Sequence, residues 1–86
     1  MDAFIYFPPG LGSGRDEIED ALEDALGEAG EVTGAGSGLS GSNIDLYIDD
    51  KAPLEKVLMI LRETLTRAGV SSAKIVINGK PHPFPS

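Results

Sequence analysis

Along this chain of 86 residues the spacing of apolar positions switches between two and three-to-four, twice over, and that switching limits the elements the chain can form. From Asn43 to Asp49, Ile44, Leu46 and Ile48 alternate with Asp45, Tyr47 and Asp49, the pattern of a strand with one buried face. From Leu54 to Ala68 the apolar residues Leu54, Val57, Leu58, Leu61, Leu65 and Ala68 fall three and four apart, one stripe of a helix entered at Pro53 and ended by Gly69. Asp2 to Phe7 is aromatic and β-branched and stops at Pro8-Pro9, so it reads as a strand. Arg15 to Ala29 repeats the helical spacing through Ile18, Leu22, Ala25, Leu26 and Ala29, with Ser13 or Asp16 as N-cap and Gly30 as a left-handed C-cap.

The other segments are less regular. Glu31 to Ala35 reads as a weak strand fraying among Gly34, Gly36, Gly38 and Gly41, so that residues 34–42 are expected to form a mobile connection. Ser72 to Asn78 is a strong last strand, and Asn78-Gly79 has the residues of a tight hairpin turn. Beyond it, prolines at 81, 83 and 85 allow either an edge strand, bonded through His82 and Phe84, or a free polyproline-like tail. The reading is one domain over residues 1–80 with a proline-rich tail at 81–86. Its core is expected to hold Leu22, Leu26, Ile44, Leu46, Ile48, Leu58, Leu61, Leu65, Ile75 and Ile77.

The order β, α, β, β, α, β is that of the ferredoxin-like split βαβ sandwich, a four-stranded antiparallel sheet with two helices on one face. In this element order, over residues 2 to 78, the chain resembles the small acidic ferredoxin-like proteins of bacteria, some of which are immunity proteins against delivered toxins. The resemblance implies an immunity-type protein as one role, and it rests on element order alone.

Charge narrows the partner. Fourteen acids against seven bases give a net charge of -7, and residues 1–50 carry twelve of the acids but only Arg15 among the bases. Nucleic acid is excluded, because affinity for phosphates comes largely from Lys and Arg. A basic protein partner, such as a toxin, fits the charge; solubility alone is the plainer reason for it. No apolar run approaches the roughly 20 residues of a membrane span, Met1-Asp2-Ala3 lacks the basic start of a signal peptide, and there is no cysteine. A cytoplasmic location, with no membrane partner, is expected.

Three groups of residues are candidates for contact. Asp16, Glu17, Glu19, Asp20, Glu23, Asp24 and Glu28 lie off the apolar stripe of the first helix, giving an acidic face for a basic partner. If Ala3, Ile5 and Phe7 face the helices, then Phe4 and Tyr6 share the open sheet face with Tyr47, a surface for a homodimer or another protein; in the reverse register Phe4 and Tyr6 are core. Ser37, Ser40, Ser42 and Asn43 would supply polar atoms at a glycine-rich loop contacting a partner or a small anion.

Weaker signals are set aside. Gly36 to Gly41 matches G-x-G-x-x-G, yet a strand follows it where a dinucleotide needs a helix. Gly10 to Gly14 does open a helix, but Asp16, Glu17, Glu19 and Asp20 would repel phosphate. Asp45, Asp49 and Asp50 lack the spacing of a calcium loop. With His82 the single histidine, no catalytic group, metal site or cofactor is expected. Two readings remain: a module that blocks a basic partner, and a dimeric regulatory or ligand-binding module using the sheet face and glycine-rich loops.

Overall fold

The structure, a computed structural model, describes residues 1–8, 15–38 and 41–84. Among the described residues five strands and two helices follow one another as β1 (Asp2–Phe7), α1 (Arg15–Leu26), β2 (Gly30–Gly38), β3 (Gly41–Ile48), α2 (Leu54–Arg67), β4 (Ala73–Ile77) and β5 (Lys80–Phe84), with a short 3-10 turn at Gly27–Ala29 after α1. All neighbouring strands are antiparallel, and the spatial order is β2-β3-β1-β4-β5. The sheet thus has five strands rather than the expected four, because Lys80–Phe84 takes the edge-strand option beside β4.

The central strand β1 aligns the core. Ala3 stands opposite Leu46 on one side and Ile77 on the other, and Ile5 stands between Ile44 and Ile75, so two rows of apolar side chains cross three strands. Against this face pack Ile18, Leu22 and Leu26 of α1 and Val57, Leu58, Leu61 and Leu65 of α2. Every residue expected in the core is buried there, and Ala3, Ile5, Phe7, Ile18, Val57, Val70 and Phe84 join them. Each large side chain so buried contributes about 1.5–3 kcal/mol. Thr64 fills an apolar position of α2 by donating its hydroxyl to the Ile60 carbonyl at 2.7 Å, which removes the cost of burying it.

The helix boundaries differ from those expected. The left-handed residue after α1 is Gly27 (φ 55), and Gly30 is extended, so α1 ends a turn early and Ala29 leaves the stripe. Ala25 is exposed along the groove between the two helices instead of buried, and Asp16 lies within the helix and is no cap. Ser13, the other cap candidate, and the Gly10–Gly14 turn lie outside the described residues. Leu54, at the start of α2, is 39% exposed, while Gly69 (φ 83) ends that helix as expected.

The largest difference is β2. Residues 34–38, expected in a mobile connection, continue a nine-residue strand paired with β3, with a bulge between Val32 and Gly34. Two of its glycines lie under neighbouring side chains: a Cβ on Gly34 would stand 3.4 Å from Asp45 Oδ2, and one on Gly36 would stand 3.1 Å from Asn43 Oδ1. At the opposite edge Asn78 (φ 53) and Gly79 (φ 79) form the tight turn into β5. Phe84 anchors that strand in the core. His82 lies opposite Ile75 with its Nε2 enclosed and without a hydrogen-bond partner, so the histidine adds no polar contact to the anchoring.

Leu61→Ala should cost about 2–5 kcal/mol in chemical denaturation, since Leu61 is wholly buried between sheet and helices, whereas exposed Met59→Ala should be near neutral. A paired glycine test probes the hairpins. Gly79→Ala should cost about 1–2 kcal/mol for backbone strain alone, because its Cβ meets nothing. Gly41→Ala should cost more, as a Cβ there collides with the Phe7 carbonyl oxygen on top of the strain at φ +134. Equal losses at the two positions would refute the close approach of β1 to Gly41.

Candidate functional site

The acidic face of α1 follows from its sequence. Burying Ile18, Leu22 and Leu26 turns the intervening positions outward, and Asp16, Glu17, Asp20, Glu23 and Asp24 are exposed, with Glu19 half-buried. Glu28 is exposed in the turn that follows. Asp16 and Glu17 sit in the first turn, where they favour the helix dipole; no basic residue occupies the last turn. Glu23 and Asp24 have no such compensation. Asp20 stands three residues before the one and four before the other, so these like charges lie side by side on the helix.

One flank of this face borders the sheet edge. Asp16, Glu19, Asp20 and Glu23 form one wall of a groove of about 390 Å³, and Val32, Thr33 and Gly34 of β2 form the other. The acids on one side are therefore within reach of whatever lies along β2. Thr33, the extra residue of the bulge, carried no sequence signal for this place. A bulge depends on how two distant segments align, and no residue pattern within β2 announces it.

On the open face of the sheet, Ala3, Ile5 and Phe7 face the helices, so Phe4 and Tyr6 are not core. Their rings stack with centroids 6.3 Å apart. Phe4 lies between Asp45 and Val76, and Tyr6 between Asn43 and Lys74. Tyr47 is further along, opposite Asp2 and Glu31, so the three aromatic residues do not form one cluster. Tyr6 and Tyr47 are each 44% exposed. Asn43 Nδ2 donates to Asp45 Oδ1 at 2.8 Å, and this pair overlies the glycines of β2.

Three of the four residues proposed for a polar loop lie on paired strands. Ser37 pairs with Ser42 and Gly36 with Asn43, all inside the β2-β3 ladder, and adjacent Ser42 and Asn43 point to opposite faces. Ser40 lies outside the described residues. Among the described residues no three His, Asp or Glu side chains gather to hold a metal ion, and no helix is long and apolar enough to cross a membrane. No family model matches the chain, and neither a curated protein nor a solved structure matches it.

The charge layout makes a stability prediction. Replacing Glu23 by Gln and Asp24 by Asn together should raise stability by about 0.5 kcal/mol at low salt, because two like-charge contacts with Asp20 vanish. The gain should shrink as salt is added. A loss of stability in denaturant titrations would mean these acids make a stabilising contact in the fold.

Proposed function

We propose that this domain is a ferredoxin-like split βαβ sandwich, extended at one edge by β5, and that it serves as a non-enzymatic module binding a basic protein partner through the acidic face of α1. An immunity-type inhibitor that covers a basic toxin is the most concrete version. The order β2-β3-β1-β4, in which β3 lies between the two strands joined through α1 and β1 between the two joined through α2, supports the fold name. The observation that carries the function is the uncompensated run Asp20, Glu23 and Asp24. These residues are exposed, they repel one another, and they contribute nothing to the core. Charges that oppose the helix carrying them are accounted for by a partner that neutralises them.

The second reading, a homodimer through the open sheet face, has in its favour the exposure of Tyr6 and Tyr47. It places the contact around the Phe4-Tyr6 stack.

The two readings separate in one experiment. With a captured basic partner, association should be fast at low salt and slow steeply as salt rises. Replacing Asp20, Glu23 and Asp24 by Lys should lower the association rate by about tenfold or more while the melting curve stays cooperative. A partner whose affinity ignores both salt and this reversal, but falls with Tyr6→Asp, would move the binding surface to the sheet.

A further inference from the structure

The two edges of the sheet are built differently. At β5, Pro81 and Pro83 stand opposite Val76 and Lys74, and proline has no N–H to offer an incoming strand. Residues of an antiparallel strand alternate between bonding to the neighbour and pointing away from it. Prolines two apart therefore strip donors from one side of β5. That edge is poorly suited to further pairing. At β2 the nine residues Gly30–Gly38 contain neither proline nor lysine, the usual guards of an edge, and among the described residues β3 is their single strand neighbour. Among the described residues no backbone hydrogen bond outside the β2-β3 ladder involves residues 31–38. The bulge at Val32/Gly34 interrupts the ladder, leaving residues 34–38 as its regular stretch.

We propose that the open edge of β2 takes up an extended, basic segment of a protein partner as a sixth strand, whose alternate side chains meet the acids of α1. Resting on the acidic-face reading above, this proposal names the form the partner takes. In an added strand every second side chain would project to the helix side of the sheet, into the groove walled by Asp16, Asp20 and Glu23. Lysine or arginine at the end of the added strand beside Gly34 places its cation against that wall, and the cations further along lie in the field of the same acids. The small side chains of β2 leave the edge accessible: glycine stands at 30, 34, 36 and 38 and alanine at 35.

A second copy of this chain is the other natural occupant, and the charges disfavour it. Two β2 edges paired across a twofold axis would bring the two α1 flanks, each bearing Asp16, Asp20 and Glu23, toward one another. Like charges set across an interface oppose that association. A basic strand is attracted by the same groups.

The test uses the whole chain and an acetylated, amidated octapeptide of alternating lysine and threonine, with two isomers N-methylated on one or the other set of alternate residues. Binding is followed by isothermal calorimetry, and amide exchange along residues 34–38 is followed by NMR. The unmodified peptide should bind at low salt and protect alternate amides of 34–38. One methylated isomer should bind about tenfold more weakly or worse, since it loses the donors facing β2, while the other keeps its affinity. The D20K/E23K variant should lose the peptide and keep its fold.

If both isomers bind as the parent does and no β2 amide gains protection, strand addition is overturned while a basic partner for the acidic face stands. If neither peptide nor isomers bind at any salt and charge reversal is silent, both fall. Protection of residues 34–38 that rises with protein concentration and without peptide would assign the edge to a second copy and overturn the proposal.

Discussion

Everything in this fold hangs on β1, the central strand of the sheet, with two apolar rows running through it. Leu46, Ala3 and Ile77 form one row and Ile44, Ile5 and Ile75 the other, so one six-residue segment sets the register of three strands at once. A slip of one residue in β1 would turn Ala3, Ile5 and Phe7 to the open face and bring Asp2, Phe4 and Tyr6 under the helices. Placing Asp2 in an apolar core would cost far more than the aromatic rings would return. Alanine at the centre of the first row gives the larger side chains on either side, and the helices above, room to close over the sheet.

The parts of the chain governed by burial were legible before the fold was known, and the parts governed by pairing were not. β3 alternates and α2 carries its stripe because one face of each is buried, and burial writes its period into the local sequence. β2 and β5 have no such record. Glycine is depleted in strands and proline is confined to special positions, so the glycine-rich segment reads as a weak, fraying strand and the proline-rich one equally as an edge strand or a free tail. In β2, Gly34 and Gly36 lie under Asp45 and Asn43, and that requirement comes from another strand's side chains. In β5, the spacing of the prolines matters and their number does not, because an edge strand has one side on which a missing donor is harmless. The acids of α1 were readable as exposed from the stripe alone. Their meeting with β2 in one groove was not, since it depends on α1 and β2 being packed together.

Topology also turns an asymmetry along the chain into one across the molecule. Residues 1–50 hold twelve of the fourteen acids, and residues 51–86 hold six of the seven bases. With β1 and β3 in the middle of the sheet, β2 falls to one edge and β4 with β5 to the other. The acidic helix accompanies β2, and Lys74 and Lys80 accompany the opposite edge. A random strand order would have mixed these charges. This order separates them.

Opposite charges at opposite edges carry a hazard that the prolines answer. A sheet whose acidic edge matches the basic edge of the next copy is a head-to-tail contact that never closes, and such contacts grow into filaments. Pairing of that kind needs a ladder of hydrogen bonds between β2 of one molecule and β5 of the next. Pro81 and Pro83 remove donors from β5 where the ladder would form, so attraction between copies meets an edge that cannot donate there. Self-pairing at β2 is opposed by charge, and pairing of β2 with β5 is opposed by covalent structure. An edge with both kinds of self-recognition suppressed, yet itself free of proline and lysine, is one on which a foreign strand competes with no copy of the chain.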